Sequence, residues 1–205
     1  MGVNAQEAKN ELPDTMRALV LKSRSELPQV ETIPTPQPTL GSAVVRIHAV
    51  QLISYAREVF NGTRHYPFPT PIVLGYSAIG YIAATGPDTT KTKVGDLVFV
   101  DCFIRGRDDS SVLYLAGVHA GGSAGSQKLM NDVFRNWTLA EYCRAPLENL
   151  AILDERRLTG SPQDSGLGFS LESLCYTGVL LVAYGGLKDI ELQAGQTVIG
   201  RCTQT

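Results

Sequence analysis

A chain of 205 residues, 43% hydrophobic and 19% charged, has the make-up of one folded domain, or one domain and part of another, and excludes an intrinsically disordered protein. Its net charge of −2 gives no electrostatic case for nucleic acid or an anionic membrane surface. The longest apolar run, GVLLVAY at 178–184, is far too short to cross a bilayer. The N-terminus, MGVNAQEAKNELPDT, has neither the basic start nor the apolar core of an export signal, so a cytoplasmic protein is expected. Cys102, Cys143, Cys175 and Cys202 form no C-x-x-C pair; they read as reduced thiols, and no ligand spacing suggests structural zinc.

Residues 1–15 read as a polar lead. MRALVL from Met16 is rich in strand formers, and IPTPQPTLGS (33–42) is held extended by three alternating prolines. SAVVRIHAV (42–50) alternates, with Val45, Ile47 and Ala49 on one side and Arg46 and His48 on the other, as a half-buried strand does. SYAREVFNG (54–62) reads as a short helical turn ended by Asn-Gly, with Ser54 as its expected cap. IVLGYSAIGYIAAT (72–85) reads as one long strand interrupted at Gly75 and Gly80, and VGDLVFVDCF as a further alternating strand. Residues 105–128 hold the most loop-like stretch, GVHAGGSAGSQK. Its AGGSAG run lacks the terminal Lys-Ser/Thr of a phosphate loop and joins no evident strand to an evident helix. TLAEYCRAP (138–146) offers another strand. FSLESLCYTGVLLVAYGGL (169–187) reads as a helix from Ser170 to Gly185-Gly186, apolar nearly all round and therefore expected to be buried. QTVIG (196–200) reads as a last short strand.

The order of these segments carries a resemblance. MRALVL, a Pro-x-Pro loop, the V-x-I strand, P-x-x-L-G at Pro71–Gly75, K-V-G-D-x-V at Lys93–Val98, TLAEYCRAP, YGGL and L-x-A-G-Q-T-V-I follow one another. Over roughly 16–200 the chain resembles the medium-chain dehydrogenase/reductase superfamily, the alcohol dehydrogenase-like group whose first domain is a GroES-like β-barrel. It is similar in style to fungal members that accompany secondary-metabolite pathways. The resemblance implies a mainly β fold: a GroES-like barrel over 16–150, then, over 151–205, a linker, a buried helix and the first strand of an incomplete Rossmann α/β domain. Relatives follow that strand with a glycine-rich turn that holds the cofactor pyrophosphate; here Gly200 stands alone before RCTQT. Val182 stands where relatives often place a Thr near the nicotinamide.

The positions matching the catalytic zinc ligands of the metal-dependent branch are Ile53, Tyr76 and Ser77, and a small polar or acidic position is Ala56. Ile offers no donor atom, and Tyr and Ser are poor substitutes for imidazole and carboxylate. The resemblance therefore implies the zinc-free branch, with NAD or NADP as cofactor and a small carbonyl-type substrate. Such enzymes need little beyond a proton donor, for which Tyr76, Ser54 and Ser77 are the candidates, with Tyr55 beside them. For Tyr76 the plainer role is a barrel-wall residue with its hydroxyl in solvent or on backbone. His48 reads as solvated, His65 as loop packing, and His119 as loop polarity or part of a mobile lid.

Two functions follow. One is an NAD(P)H-linked oxidoreductase. The other is a truncated, inactive barrel that binds a small molecule or a partner chain, or is a non-functional relic, in which an exposed strand and helix would favour self-association.

Overall fold

The computed structural model describes residues 12–193 and 195–198. β1 (Thr15–Leu21) pairs antiparallel with β2 (Gln29–Pro34) and with β4 (Ile72–Val73), a three-stranded sheet. The second sheet has five strands in the order β10-β6-β5-β3-β9, all antiparallel: β3 (Ser42–Val50), β5 (Ala78–Thr85), β6 (Leu97–Val100), β9 (Tyr142–Pro146) and β10 (Leu150–Ile152). β7 (Phe103–Arg105) and β8 (Leu113–Leu115) make a hairpin. The chain is thus mainly β, as the residue pattern predicts.

IVLGYSAIGYIAAT is not one strand. It leaves the first sheet after Val73 and enters the second at Ala78. Gly75 sits in that crossing, where a Cβ would drive into the backbone and hydroxyl of Thr138. Gly80 faces the carbonyl of Arg46 just as closely, and the β3–β5 register slips beside it, between Ile47 and Ala49. Both glycines permit a close approach of backbone.

β6 is buried on both faces. Val98 and Val100 point to the main core with Leu21, Val45, Leu74 and Trp137. Leu97 and Phe99 point the other way, to a smaller cluster with Ile79, Leu174 and Cys175. The cover on that second face comes from α4 (Leu171–Leu174), capped by Ser170, whose hydroxyl accepts from Ser173 N–H.

The expected buried helix of 169–187 breaks into two. α4 ends at Cys175, and α5 (Thr177–Asp189) follows with no buried residue. Val182 is 78% exposed. Apolar residues all round a helix say that it needs cover without saying where; its first turn approaches the barrel at Gly178, beside Gln51 and Ser77. Likewise Gln196, Thr197 and Val198 form no strand; a strand needs a ladder partner, and none stands beside them among the described residues. Ile199 and Gly200 lie outside the described residues. The AGGSAG run, in contrast, does open a helix: α2 (Ala124–Asp132), whose cap Ser123 exchanges hydrogen bonds with Ser126 in a capping box.

Candidate functional site

The end of β3 brings the site together. Gln51 N–H donates to Ser77 O at 3.1 Å, tying the strand exit to the crossing segment 74–77. The chain then turns through Ile53 into α1 (Ala56–Phe60), whose first residue is fixed by Ala56 N–H donating to Ile53 O at 3.0 Å. Ser54 is exposed and does not cap this helix; Tyr55 holds the cap position without a side-chain hydrogen bond. Ser54 thus stands outside the enclosed group. Asn61 ends α1, and Gly62, at φ +77°, reverses the chain.

Five rings gather behind this turn. Tyr66 meets Tyr55 edge-on at 6.3 Å and His119 edge-on at 4.8 Å, and Phe60 lies 6.2 Å from Tyr76. The Arg64 guanidinium covers the Tyr55 ring at 4.0 Å, a cation–π contact that also shields the phenol. Burial first, then the Tyr66 phenol, push the Tyr55 hydroxyl above the usual phenol range. Tyr76 is 3% exposed, packed in the main core, and its hydroxyl is buried with no hydrogen-bond partner. Burial pushes it far up, with Tyr55, Cys102 and Tyr66 adding to the effect. Its hydroxyl is therefore neither in solvent nor on backbone, contrary to the plainer sequence expectation.

Ser77 is the second enclosed hydroxyl. Its Oγ donates to Cys102 Sγ at 3.6 Å. Burial raises the Cys102 thiol and the Ser77 contact opposes that rise, so the thiol stays protonated near neutral pH. The first turn of α5 closes on this pair: a Cβ at Gly178 would stand 3.3 Å from Ser77 Cβ and 3.5 Å from its Oγ. Burial thus disfavours the phenolates of Tyr55 and Tyr76, and these two hydroxyls are hydrogen-bond donors.

Of the sequence candidates, Tyr76 and Ser77 are brought together with Tyr55. Ser54 is not, Val182 lies exposed further along α5, and Gly200 is outside the described residues. His119 is tied into its own loop. It exchanges backbone hydrogen bonds with Leu115, and its Nδ1 accepts from Gly121 N–H at 2.9 Å. His48 pairs with Glu172 of α4 at 3.2 Å, and His65 is exposed. Sequence reasoning missed Arg64, Tyr66, Cys102 and Gly178. Arg64 and Tyr66 had a signal, being two apart in a proline-held extended loop and so on one side of it. No group of three or more His, Cys, Asp or Glu side chains able to hold a metal occurs among the described residues.

An antiparallel barrel sheet crossed by a Pro-x-x-Leu-Gly segment, with polar side chains at the strand exit, defines a GroES-like domain of the dehydrogenase type. The alcohol dehydrogenase GroES-like domain matches residues 39–155, and the chain belongs to that family. A dehydrogenase of Aspergillus niger is 29% identical over 177 residues, 80% of this chain and 46% of that protein. A probable zinc-binding alcohol dehydrogenase of Mycobacterium tuberculosis is 35% identical over 86 residues, 42% of this chain and 22% of that protein. In fold, the chain matches a putative alcohol dehydrogenase from Sinorhizobium meliloti with a TM-score of 0.66 at 21% identity, over 90% of this chain and 50% of that one. A putative zinc-binding dehydrogenase of the same organism, bound to NADP, matches with a TM-score of 0.63 at 17% identity, over 86% of this chain and 46% of that one. The chain thus spans less than half the length of these curated relatives. No helix among the described residues is long and apolar enough to cross a membrane.

Proposed function

We propose that this chain supplies the substrate side of a zinc-independent, NAD(P)H-linked oxidoreductase that reduces a carbonyl or enone. The observation that carries the reading is the group of hydroxyls, Tyr55, Tyr66, Tyr76 and Ser77, gathered where β3 leaves the sheet. Reduction of a carbonyl needs a proton for the oxygen, and a hydroxyl placed beside that oxygen can donate it. Tyr55 and Ser77 are the donors within reach of the strand exit. Tyr76, whose hydroxyl is sealed in the core, forms the wall behind them. Arg64 holds the Tyr55 ring in place.

The donor set does not fit zinc. Ile53 offers no donor atom, the Tyr76 hydroxyl is enclosed, and Cys102 is engaged with Ser77. Val182, the position matching a nicotinamide neighbour in relatives, is exposed. A nicotinamide, when bound, would supply the hydride; its place here rests on the family, one of whose solved relatives is bound to NADP. A role in fungal secondary metabolism rests on the resemblance, and a relative that matches 80% of the chain is fungal. The substrate is a small carbonyl compound, and a cytoplasmic site of action goes with it.

Titrating the chain with NADPH and NADH, then following cofactor oxidation with a panel of ketones and enones, tests this. Micromolar binding of either cofactor and turnover are expected, with Ser77→Ala and Tyr55→Phe each lowering kcat about 10²-fold. No binding of either at millimolar concentration overturns catalysis by this chain alone. The second reading, a barrel that binds a partner or a second copy, is favoured by the open apolar helix α5.

A further inference from the structure

Away from the Ser77 region a groove of about 840 Å³ opens on the three-stranded sheet. The alternation of β1 explains its floor. Leu21 points into the main core, whereas Met16 and Val20 belong to the opposite face. The register sets Ile33 of β2 opposite Met16 and Val73 of β4 opposite Val20. The turn after α2, with Val133 and Phe134, forms a wall. Floor and wall are apolar, the volume falls in the range of about 300–1,000 Å³ usual for small-molecule sites, and no lining residue is shared with the Ser77 site.

The polar groups on the groove are unbalanced. Three cationic side chains, Lys22, Arg135 and Arg144, line it against one carboxylate, Glu31. Lys22 is taken by Glu31 at 2.7 Å. Arg144 donates to the Val133 carbonyl at 2.7 Å and lies 5.7 Å from the centre of the Phe134 ring, both uncharged partners. Arg135 makes no hydrogen bond or ion pair among the described residues, and its Nε is buried without an acceptor. Thr35 Oγ1, on the same groove, is likewise buried and unpartnered. Orphaned polar atoms are few in folded proteins. Here two of them, and two guanidinium groups without a carboxylate partner among the described residues, border one apolar floor.

We infer that this groove binds a small amphipathic carboxylate, its alkyl body on Val20, Ile33 and Val73 and its head on the guanidinium groups of Arg135 and Arg144. A carboxylate supplies the acceptor that Arg135 lacks and matches a guanidinium in plane and charge. The alkyl body removes the floor from water. An alcohol of the same length keeps the second contribution and loses the first.

The test uses the full chain and decanoate, followed by calorimetry and by the fluorescence of Trp137, the one tryptophan. Trp137 is buried, and its backbone N–H donates to Val73 O at 3.0 Å under the groove floor. Saturable one-to-one binding with Kd below about 1 mM is expected, with decanol at least about tenfold weaker. Arg135→Met should weaken decanoate by about tenfold or more and leave decanol unchanged, whereas Arg156→Met, an exposed arginine outside the groove, should change neither. If Arg135→Met fails to fold, Val133→Phe, which fills the groove from its rim, must weaken both ligands. The inference is overturned if decanoate does not saturate, if decanol binds as tightly, or if the groove variants leave decanoate binding intact. It is equally overturned if sedimentation shows a second copy covering the groove, in a dimer that Val133→Phe dissociates. Cofactor titration does not enter this experiment, so its outcome is separate from that of the proposed reductase activity.

Discussion

Thr138 and Tyr76 hold each other through one hydroxyl: Tyr76 N–H donates to Thr138 Oγ1 at 3.0 Å, and the same oxygen donates to Tyr76 O at 2.6 Å. Thr138 is fully buried, so this hydroxyl does inside the barrel what a neighbouring strand would do elsewhere: it satisfies both backbone groups of a residue that has left one sheet and not yet entered the next. Thr138→Val keeps the shape and leaves the Tyr76 N–H and C=O unpaired. A loss of about 1–3 kcal/mol is expected in urea unfolding, most of it recovered by Thr138→Ser. Equal stability of the valine variant would show that the crossing segment is held by packing alone.

The orphaned hydroxyl of Tyr76 makes a prediction of opposite sign. Removing a buried polar atom that has no partner relieves a desolvation cost. Tyr76→Phe is therefore expected to be neutral or stabilising by up to about 1 kcal/mol, with the ring contact to Phe60 kept. Under the proposed function Tyr76 is wall and not donor, so turnover in the cofactor-oxidation assay should fall far less than in Ser77→Ala. A stability loss above about 1 kcal/mol would mean that the hydroxyl has a partner, such as an ordered water.

What could be read in the residues and what could not divide along one line: local against non-local. The alternation of Val45 and Ile47 in β3, the Asn61-Gly62 stop and the strand at Tyr142–Pro146 depend on neighbours in sequence, and they stand in the structure; Ala49 does not stay on their side, because the register shift after Ile47 turns it to the second cluster. The assignment of Ile72–Val73 and Ala78–Thr85 to different sheets does not, because only Thr138, more than fifty positions away, shows that the chain crosses there. The site divides the same way. Tyr76 and Ser77 were found through their place in a motif. Arg64, Tyr66 and Cys102 reach them by folding of separate loops, and no period in the sequence brings these together. α5 failed for a third reason. Its composition demands burial, and composition carries no information about the partner that would provide it.

His119 gives the chain a pH dependence on the acid side. Burial lowers its pKa below the ordinary 6.5, and protonating Nδ1 would end its acceptance of the Gly121 N–H. Between the folded and the unfolded pKa the unfolded chain binds more protons, so stability rises with pH there. The contribution is complete above pH 6.5 and is lost as pH falls through the lower, folded value. Unfolding free energies measured at intervals from pH 8 to pH 5 should decline below about 6.5. His119→Asn, whose side-chain oxygen can accept in place of Nδ1 and does not titrate, should flatten that part of the curve. An unchanged slope in the variant would assign the decline to other groups.

Helix α5 gives the last prediction. Val182 is 78% exposed and Leu180 57%, with Tyr184 at 62% on the same helix, an apolar surface of the kind that drives association. Self-association through this helix is expected, visible as a sedimentation coefficient that rises with concentration. Val182→Glu adds a charge at an exposed position, so the folded barrel should lose nothing: the unfolding free energy is expected to stay within about 0.5 kcal/mol of the parent. Sedimentation, in contrast, should become that of a monomer at every concentration. A parent chain that is already monomeric at high concentration would rule out self-pairing of α5 and leave a different partner as its cover. A variant that unfolds would show instead that α5 packs on its own barrel in solution.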